Sequence, residues 1–555
     1  TMNFIQNTVS KTIAYENAFA MQGRTKRNDY IGCSPKLDLR QTIIRSAETY
    51  LRHITATGQT TSPIKLRDTP VRSGEYVYLP LSLRGGIEPA DLTVNDKAAK
   101  IVAYNADKAM LKVRLDGEIS ADRIKVLEVY SDISFLARRV LNWAQGQDVE
   151  FTTGEVLYSL ADQPILIPSA SDEQRRVING ILSSPLAYVW GVPGGGKTSV
   201  VLAECIARYM QVGGKILLVA PTNSALERAL EALIPVLERV GCDKSAILRL
   251  GLATAEFSRQ FPGLCRGIAA LDGYDTPQLV AATADTVVAK YDHLRRYGFE
   301  HVFLDEAGYC SLIKALPLLT FGCPLSLLGD HKQLPPVCSL SWREIKESPE
   351  LCLWSLSAVY LGNLLQAYSI GQLAAAHKPD FSLLRKYNLG CSYRFGGELA
   401  SILSDEVYEG ILHGMAPTGT SVTVFHAPQS GKARDSPNEA AVIEWLLRGV
   451  VDTDYAVITP YRKQASLLHK LIPDGEVMTI HKSQGLEWDT VILSAVDAEE
   501  MFFTDSTKIR GNALLNTALS RARKHLVIVC DADCWAKRPQ QLLGRLVLAA
   551  GRAVA

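Results

Sequence analysis

The sequence predicts an α/β protein: two doubly wound parallel-sheet units in tandem, preceded by a small antiparallel β-barrel flanked by helices. Three observations carry that prediction. From about residue 186 onward, short and wholly apolar runs alternate with helical stretches, the pattern of buried parallel strands joined by crossover helices. These runs form two series, LAYVWG, KILLVAP, LVAATAD, HVFLDEA and LSLLGD, then SVTVFHA, YAVITPY, TVILSAV and HLVIVCD. Between about Ile64 and Tyr130 the text instead consists of short β-type pieces, YVYLPL, DLTVND, AKIVAYN, AMLKVRL and RIKVLEVY, separated by Gly, Asp and Asn turns.

The elements follow in order. After a polar start, LDLRQTIIRSAETYLRHI (Leu37 to Ile54) has apolar residues at helical spacing, and FLARRVLNWAQ from Phe135 returns to helix after the β pieces. The predicted division is 1–63 for the N-terminal segment and first helix, 64–131 for the barrel, and 132–165 for the second helix and linker. The first α/β unit takes 166–345, with an insertion expected at 234–278 on helical text, and the second takes 346–555. In the second unit NEAAVIEWLLRGV and ALLNTALSRARK read as helices.

A chain of 555 residues with 47% hydrophobic and 21% charged residues is long enough for several packed units. The net charge of +1 supplies no global field for nucleic acid or an anionic membrane, so any nucleic-acid groove must come from local asymmetry. Residues 1–84 hold twelve Lys or Arg against six Asp or Glu, including the run Gly23 to Arg27, which reads equally as a solvated tail or a binding arm. The eleven cysteines are scattered singly, as in reduced cytosolic proteins, and Cys530 and Cys534 read as core residues without further zinc ligands nearby. No signal peptide and no apolar run near eighteen residues is present, which predicts a soluble, cytoplasmic protein with no membrane partner.

GVPGGGKTSV, Gly191 to Val200, joins an apolar strand to a helix and fits G-x-x-x-x-G-K-[ST]. Pro193 stiffens the loop, while Gly194, Gly195 and Gly196 let backbone N–H groups close on phosphate oxygens at a helix N-terminus. Lys197 would reach the β- and γ-phosphates, Thr198 would place its hydroxyl on Mg²⁺, and Ser199 follows within the cradle. A nucleoside triphosphatase also needs a metal carboxylate at a later strand end, and HVFLDEAG supplies Asp305 for the metal and Glu306 to polarise water. Adjacent acids there also suit a plain helix N-terminus. In LSLLGDHKQLPPV, Gln333 lies a few residues beyond a strand end, where a neutral amide can sense the γ-phosphate.

With these in place, GVPGGGKT, VAPTNSALE, LDEAG, GDHKQLPPV, CSYRFGGEL, TIHKSQGLEWD and LNTALSRARKHL resemble the ordered motifs of a superfamily 1 helicase over nearly all of residues 166–535. The resemblance implies two RecA-like P-loop domains with ATP and Mg²⁺ between them. It makes Gln174 similar to the glutamine that reads the adenine edge and Tyr393 to the residue stacking near the base. Arg394 and Arg521 become the two arginine fingers on the γ-phosphate, and Glu487 the ribose contact, with Gly485 giving backbone access. Arg523 and Lys524 read alternatively as a solvated helix face. The resemblance also implies strand contacts at Pro221, Thr222, Asn223 and Thr283 in the first unit and at Thr459, Tyr461 and Thr479 in the second, each of which is also acceptable as an ordinary loop residue. His481 reads as structural.

Spacing selects a branch. Arg394 and Thr479 lie 85 residues apart and Asp489 and Asn512 only 23, too close for a large inserted domain. The β unit precedes the ATPase core, as in the barrel on a two-helix stalk of the up-frameshift-type 5′-to-3′ helicases, the group of the nonsense-mediated-decay and nidovirus helicases. Two departures stand out: Cys33 is the only cysteine before residue 200, so no Cys/His-rich zinc domain is expected within these residues, and Gly308 and Tyr309 stand where many relatives have Gln. The implied activity is ATP-driven 5′-to-3′ movement on a single strand with unwinding at a duplex junction, as a monomer, on DNA or RNA. The rivals are a nucleic-acid-dependent ATPase that remodels protein complexes without processive unwinding, and a regulatory P-loop switch, which would need no arginines in a second unit.

Overall fold

Strands form where apolar runs are bounded by Gly, Pro or charged residues; those of the two large sheets are parallel and those of the N-terminal sheets antiparallel. The computed structural model describes residues 38–57, 61–82, 92–105, 110–132, 134–146, 150–156, 160–251, 253–273, 276–365, 370–375, 379, 381, 384–429, 434–449, 454–550 and 552–553. The basic run at 23–27 and Cys33 lie outside them.

The N-terminal helix Leu39–Thr57 packs against the helix Phe135–Gly146, and Arg40 Nε donates to Ala144 O at 2.8 Å. Between them lie β1 (Thr61–Ile64), β2 (Val71–Ser73), β3 (Tyr76–Pro80), β4 (Leu92–Val94), β5 (Ala99–Asn105), β6 (Met110–Leu115) and β7 (Val129–Asp132). They form two antiparallel sheets, β1-β7-β4 and β2-β3-β6-β5. Alternation along β3 and β6 turns Val77, Leu79, Leu111, Val113 and Leu115 into a shared core with Leu81, Leu92 and Val129. The first helix is anchored to the following unit: Ser46 Oγ donates to Glu350 O at 2.7 Å and accepts from Trp354 Nε1, and Tyr50 stacks on Trp354 with centroids 4.2 Å apart.

The first large sheet contains β8 (Leu186–Gly191), β9 (Ile216–Ala220), β10 (Ile247–Leu250), β11 (Cys265–Arg266), β12 (Leu279–Thr283), β13 (His301–Leu304), β14 (Leu325–Gly329) and β15 (Arg385–Leu389). Its order is β11-β10-β12-β9-β13-β14-β8-β15, parallel throughout. Tyr188, Trp190, Leu217, Val219, Val302 and Leu304 face one core, and Ala187, Val189, Leu218, Ala220 and Phe303 face the other. This period of two explains why such strands read as continuous apolar runs.

Two expectations about boundaries change. The segment 234–278 is not helical text throughout: it begins inside the helix Asn223–Arg239 and then adds β10 and β11 to the edge of the same sheet. The first unit also does not end at 345, because Arg385–Leu389 pairs with β8, residue Leu389 opposite Gly191.

After the short pair β16 (Cys391–Ser392) and β17 (His413–Gly414), the second large sheet is built from β18 (Ser421–His426), β19 (Tyr455–Thr459), β20 (Val477–Thr479), β21 (Trp488–Ser494), β22 (Ala522–Cys530) and β23 (Arg552–Ala553). Its order is β20-β19-β21-β22-β18-β23, again parallel. Arg523 and Lys524 are on β22 and not on a helix: the helix Ile509–Leu519 stops at Ser520, and the next residues pair with β21. Both are in ion pairs, Arg523 Nε and Lys524 Nζ with Asp489 at 2.8 and 2.6 Å; Lys524 remains exposed, so its solvated reading holds while its helical one does not. Among the described residues no helix is long and apolar enough to cross a membrane, and no group of three His, Cys, Asp or Glu is placed to hold a metal.

Behind β19 and β21, Glu439 is fully buried and accepts from Ser494 Oγ at 2.6 Å and Val496 N at 2.9 Å. Burial raises its pKa to about 8, with the Asp497 and Asp531 charges adding to the rise against the two hydrogen bonds. A carboxyl raised above its unfolded value stabilises the fold below that value and withdraws this as pH climbs through the folded one. Glu439→Gln is therefore expected to match wild-type stability near pH 4.5 and exceed it at pH 8.5, as read by urea unfolding at both pH values.

Candidate active site

β8 delivers the chain to the loop Val192–Gly196, and a helical turn beginning at Lys197 leads into the helix Ala203–Gln211. Gly194 and Gly196 both have φ of +77°, and a Cβ on Gly194 would stand 2.5 Å from Arg394 Cβ, so the loop can close only on glycine. That contact brings the loop to the segment carrying the first expected finger. Tyr393 N donates to Gly194 O at 3.0 Å and Ser392 Oγ to Pro193 O at 2.7 Å, while the Tyr393 ring stays half exposed.

Lys197 Nζ folds onto its own loop, donating to Gly191 O at 2.7 Å and Val192 O at 3.2 Å. Burial lowers its pKa, against the nearby charges of Asp330, Glu306 and Asp305. Thr198 Oγ1 donates to Asp305 Oδ2 at 3.0 Å, which puts the two expected metal ligands in contact. Burial and the neighbouring Glu306 raise the Asp305 pKa to about 6, so this carboxylate is short of positive charge. Glu306 has a left-handed φ of +53°, a strained conformation at the residue expected to polarise water. Arg394 Nε is buried without a hydrogen-bond partner, a free donor beside the phosphate loop. A carboxylate–hydroxyl pair, a primary ammonium on exchangeable carbonyl partners and an unpartnered guanidinium nitrogen fit a magnesium–triphosphate. Ser199 is exposed just beyond.

The second unit closes the site. Arg394 Nη2 pairs with Glu487 Oε2 at 2.5 Å, and its Nη1 donates to Ser520 O at 3.0 Å. Arg521 is buried, and its Nη2 donates to Gln333 Oε1 at 3.1 Å, so the expected sensor and the expected second finger touch across the two units. Burial and the charge of Arg394 lower the Arg521 pKa to about 10.

Other expected residues are placed differently. Gln174 is next to the loop, but its Oε1 accepts from Ser171 N and its Nε2 donates to Gly195 O at 3.1 Å, so both ends of the amide brace backbone. The strand-contact candidates sit at C-terminal strand ends, with Ala220 opposite Thr283 and Thr459 opposite Thr479. Pro221, Thr283, Thr459 and Tyr461 are buried. Thr283 caps the helix Ala284–Ala289, and the Tyr461 hydroxyl donates to Asp497. Thr222 caps the helix Asn223–Arg239 through Ala225 N, and Asn223 Oδ1 accepts from the buried Arg249 at 2.8 Å. Thr222, Asn223 and Thr479 keep partial exposure. Gly308 has a packing reason: a Cβ there would lie 2.5 Å from Asp330 O.

A buried clasp between the units was not evident from motifs. Asp330 accepts from Trp190 Nε1 at 3.0 Å, Lys332 N at 2.9 Å and the Tyr408 hydroxyl at 2.7 Å. Asn516 Nδ2 donates to that hydroxyl and to Lys332 O, and Leu334 N donates to Thr517 Oγ1 at 3.0 Å. The loop holding Gln333 is thus fastened to the helix that leads to Arg521.

Two families described as AAA domain match the chain, one over residues 174–339 and the other over 438–533. Among curated proteins, the DNA replication ATP-dependent helicase/nuclease JHS1 of Arabidopsis thaliana is 29% identical over 68% of this chain and 29% of its own length. Regulator of nonsense transcripts 1 of Dictyostelium discoideum is 25% identical, covering 67% and 32%, and DNA-binding protein SMUBP-2 of Mesocricetus auratus is 24% identical, covering 65% and 42%. The chain therefore spans less than half the length of these relatives. Among solved structures, the arterivirus nonstructural protein 10 (helicase) is 15% identical with a TM-score of 0.40, covering 92% of this chain and 84% of that one.

The clasp is testable. Tyr408→Phe leaves Asp330 and Asn516 each short of one partner and is expected to destabilise the protein by about 1–3 kcal/mol, measured by urea unfolding followed through tryptophan fluorescence.

Proposed function

We propose that this chain, a superfamily 1 helicase of the up-frameshift-like branch by its motifs and relatives, is an ATP-driven motor that moves 5′-to-3′ on a single nucleic-acid strand and separates a duplex ahead of it. The observation that carries this reading is the contact of Gln333 with Arg521 beside Lys197, Thr198, Asp305 and Glu306, because it sets a γ-phosphate sensor against a guanidinium of the opposite unit.

In this reading the loop amides of Gly194 to Gly196 and the Lys197 ammonium bind the phosphates, and Thr198 and Asp305 hold Mg²⁺. The ion would neutralise phosphate charge when bound. Glu306 orients and deprotonates the attacking water. Arg394 and Arg521 bring fixed, delocalised charge to the transferring group, and Gln333 passes its loss to Arg521. Gln174 gives up a backbone bond to read the adenine edge, Tyr393 lies against the base and Glu487 against the ribose. Thr222, Asn223 and Thr479 grip the strand with backbone groups around them, and the reading keeps Pro221, Thr283, Thr459 and Tyr461 as the scaffold of those contacts. The two antiparallel sheets form the barrel, and the helices Leu39–Thr57 and Phe135–Gly146 its stalk, which blocks the complementary strand. The motor works as a soluble cytoplasmic monomer.

Steady-state ATP hydrolysis, alone and with single-stranded DNA or RNA at two salt concentrations, tests the reading. Stimulation that weakens as salt rises is expected, and a rate indifferent to both polymers would sink it. Lys197→Ala is expected to abolish turnover, and Arg521→Ala to do so while nucleotide binding, followed with a fluorescent ATP analogue, persists. Normal turnover in either variant would overturn the site assignment.

A further inference from the structure

A guanidinium outside every motif crosses the seam between the units. Arg228 lies on the helix Asn223–Arg239, which begins at the strand-contact candidates Thr222 and Asn223. Its Nη1 donates to Gln484 O at 2.6 Å, from the first unit to the second. Gly485 makes room for it: φ is +76°, and a Cβ there would stand 2.8 Å from Arg228 Nη1. The backbone access that the sequence assigned to Gly485 is taken up by an arginine.

The residues that follow are held by the site itself. Leu486 O accepts from Arg521 Nη1 at 3.3 Å, and Glu487 pairs with Arg394. The loop Gln484–Glu487 therefore threads between three arginines, two from its own unit and Arg228 from the other. On its N-terminal side it runs back through a turn, with Lys482 N and Ser483 N donating to Thr479 O, to the strand-contact candidate of the second unit. Arg228 is partly buried; burial lowers its pKa, against the charges of Glu231, Glu306 and Glu476, so its electrostatic environment includes the carboxylate expected to activate water.

We infer that Arg228 is a positioning residue that couples strand binding to ATP hydrolysis, by tying the strand-contacting helix of the first unit to the loop that presents Leu486 and Glu487 to Arg521 and Arg394. The inference rests on the motor reading above. A strand held between the N-terminus of the Asn223–Arg239 helix and Thr479 fixes those two points relative to each other. Arg228 converts that into a fixed place for Gln484, and through two further residues into the settings of both fingers. Its effect is exerted through the loop, so it matters for acceleration by a strand and little for the basal reaction.

The test is Arg228→Gln in the full chain. ATP hydrolysis is measured with and without whichever single-stranded polymer stimulates wild type, together with polymer binding by fluorescence anisotropy and the melting temperature. The basal rate and polymer affinity are expected to stay within about two-fold of wild type. The stimulated rate is expected to fall about ten-fold, the kinetic counterpart of one charge-assisted hydrogen bond. Undiminished stimulation, or equal loss of basal and stimulated rates, would overturn the inference. If the glutamine variant melts well below wild type, Arg228→Met, which keeps the unbranched stem of the side chain without charge or donor, replaces it under the same criteria. A wild type that neither polymer stimulates removes the motor reading and this inference together, whereas a stimulated wild type with an equally stimulated variant removes the inference alone.

Discussion

The arrangement depends on one constraint: a guanidinium must be kept charged and nearly dry at a seam between two sheets. Arg521 is 3% exposed, and its hydrogen bonds go to Thr517 O, Leu486 O and the neutral amide oxygen of Gln333. No carboxylate neutralises it in these bonds, so its positive charge remains available to an anion, at a desolvation cost of several kcal/mol. Such a group is tolerable only if every acceptor around it is held in place. The Asp330–Tyr408–Asn516 clasp and the Leu334–Thr517 bond do this for Gln333, and the loop Gln484–Glu487 does it for Leu486.

Parallel topology explains why these groups can meet. In both large sheets the strand ends beside the candidate residues and the clasp are C-terminal ones: Gly191 on β8, Leu304 before Asp305 on β13, Gly329 before Asp330 on β14, and Thr459 and Thr479 on β19 and β20. Backbone N–H groups at the following turns remain unpaired by the sheet, which is what phosphate oxygens require. The strand candidates occupy the same edges: register pairs Thr459 with Thr479, and sets Thr283 opposite Ala220, the residue before Pro221. A displacement at one edge is therefore shared with the neighbouring strand end.

Much of this was legible in the sequence where local chemistry dictates it. The glycine loop after β8 and the two acids after β13 stand at the strand ends where the sequence put them, because glycine conformations and strand ends leave few alternatives. β10 was missed because Arg249 interrupts its apolar run, and the structure buries that arginine against Glu227 at 3.5 Å. β15, RKYNL, was missed because an edge strand with exposed Arg385, Lys386 and Asn388 has no apolar signature. Arg523 and Lys524 read as helix because ALSRARK is rich in helix formers, and pairing with β21 overrode that propensity. For Gln174 a local signal existed: Ser171 and Gln174 stand three apart, as in a capping box, and both bonds of that box are formed. The clasp was invisible because it joins Trp190, Asp330, Tyr408 and Asn516 from four distant stretches.

The pairing of Arg394 with Glu487 bears on how the proposed site would cycle. A finger left in water would have to be desolvated with each nucleotide, and a finger locked to a carboxylate of the opposite unit would resist opening. Here both partners belong to the second unit, and Glu487 is also 3.5 Å from Arg523, which has Asp489 and Asp454 as further partners. In the proposed motor, an incoming phosphate would exchange one charge-assisted bond of Arg394 for another, while Arg523 would remain to neutralise Glu487. The free energy of closing is then a difference between two similar terms and not the full strength of either, and small differences are what let a two-state element be driven in both directions by one ligand. The unpartnered Nε of Arg394 supplies the asymmetry, because it is a donor that a phosphate can satisfy and that Glu487 leaves unused.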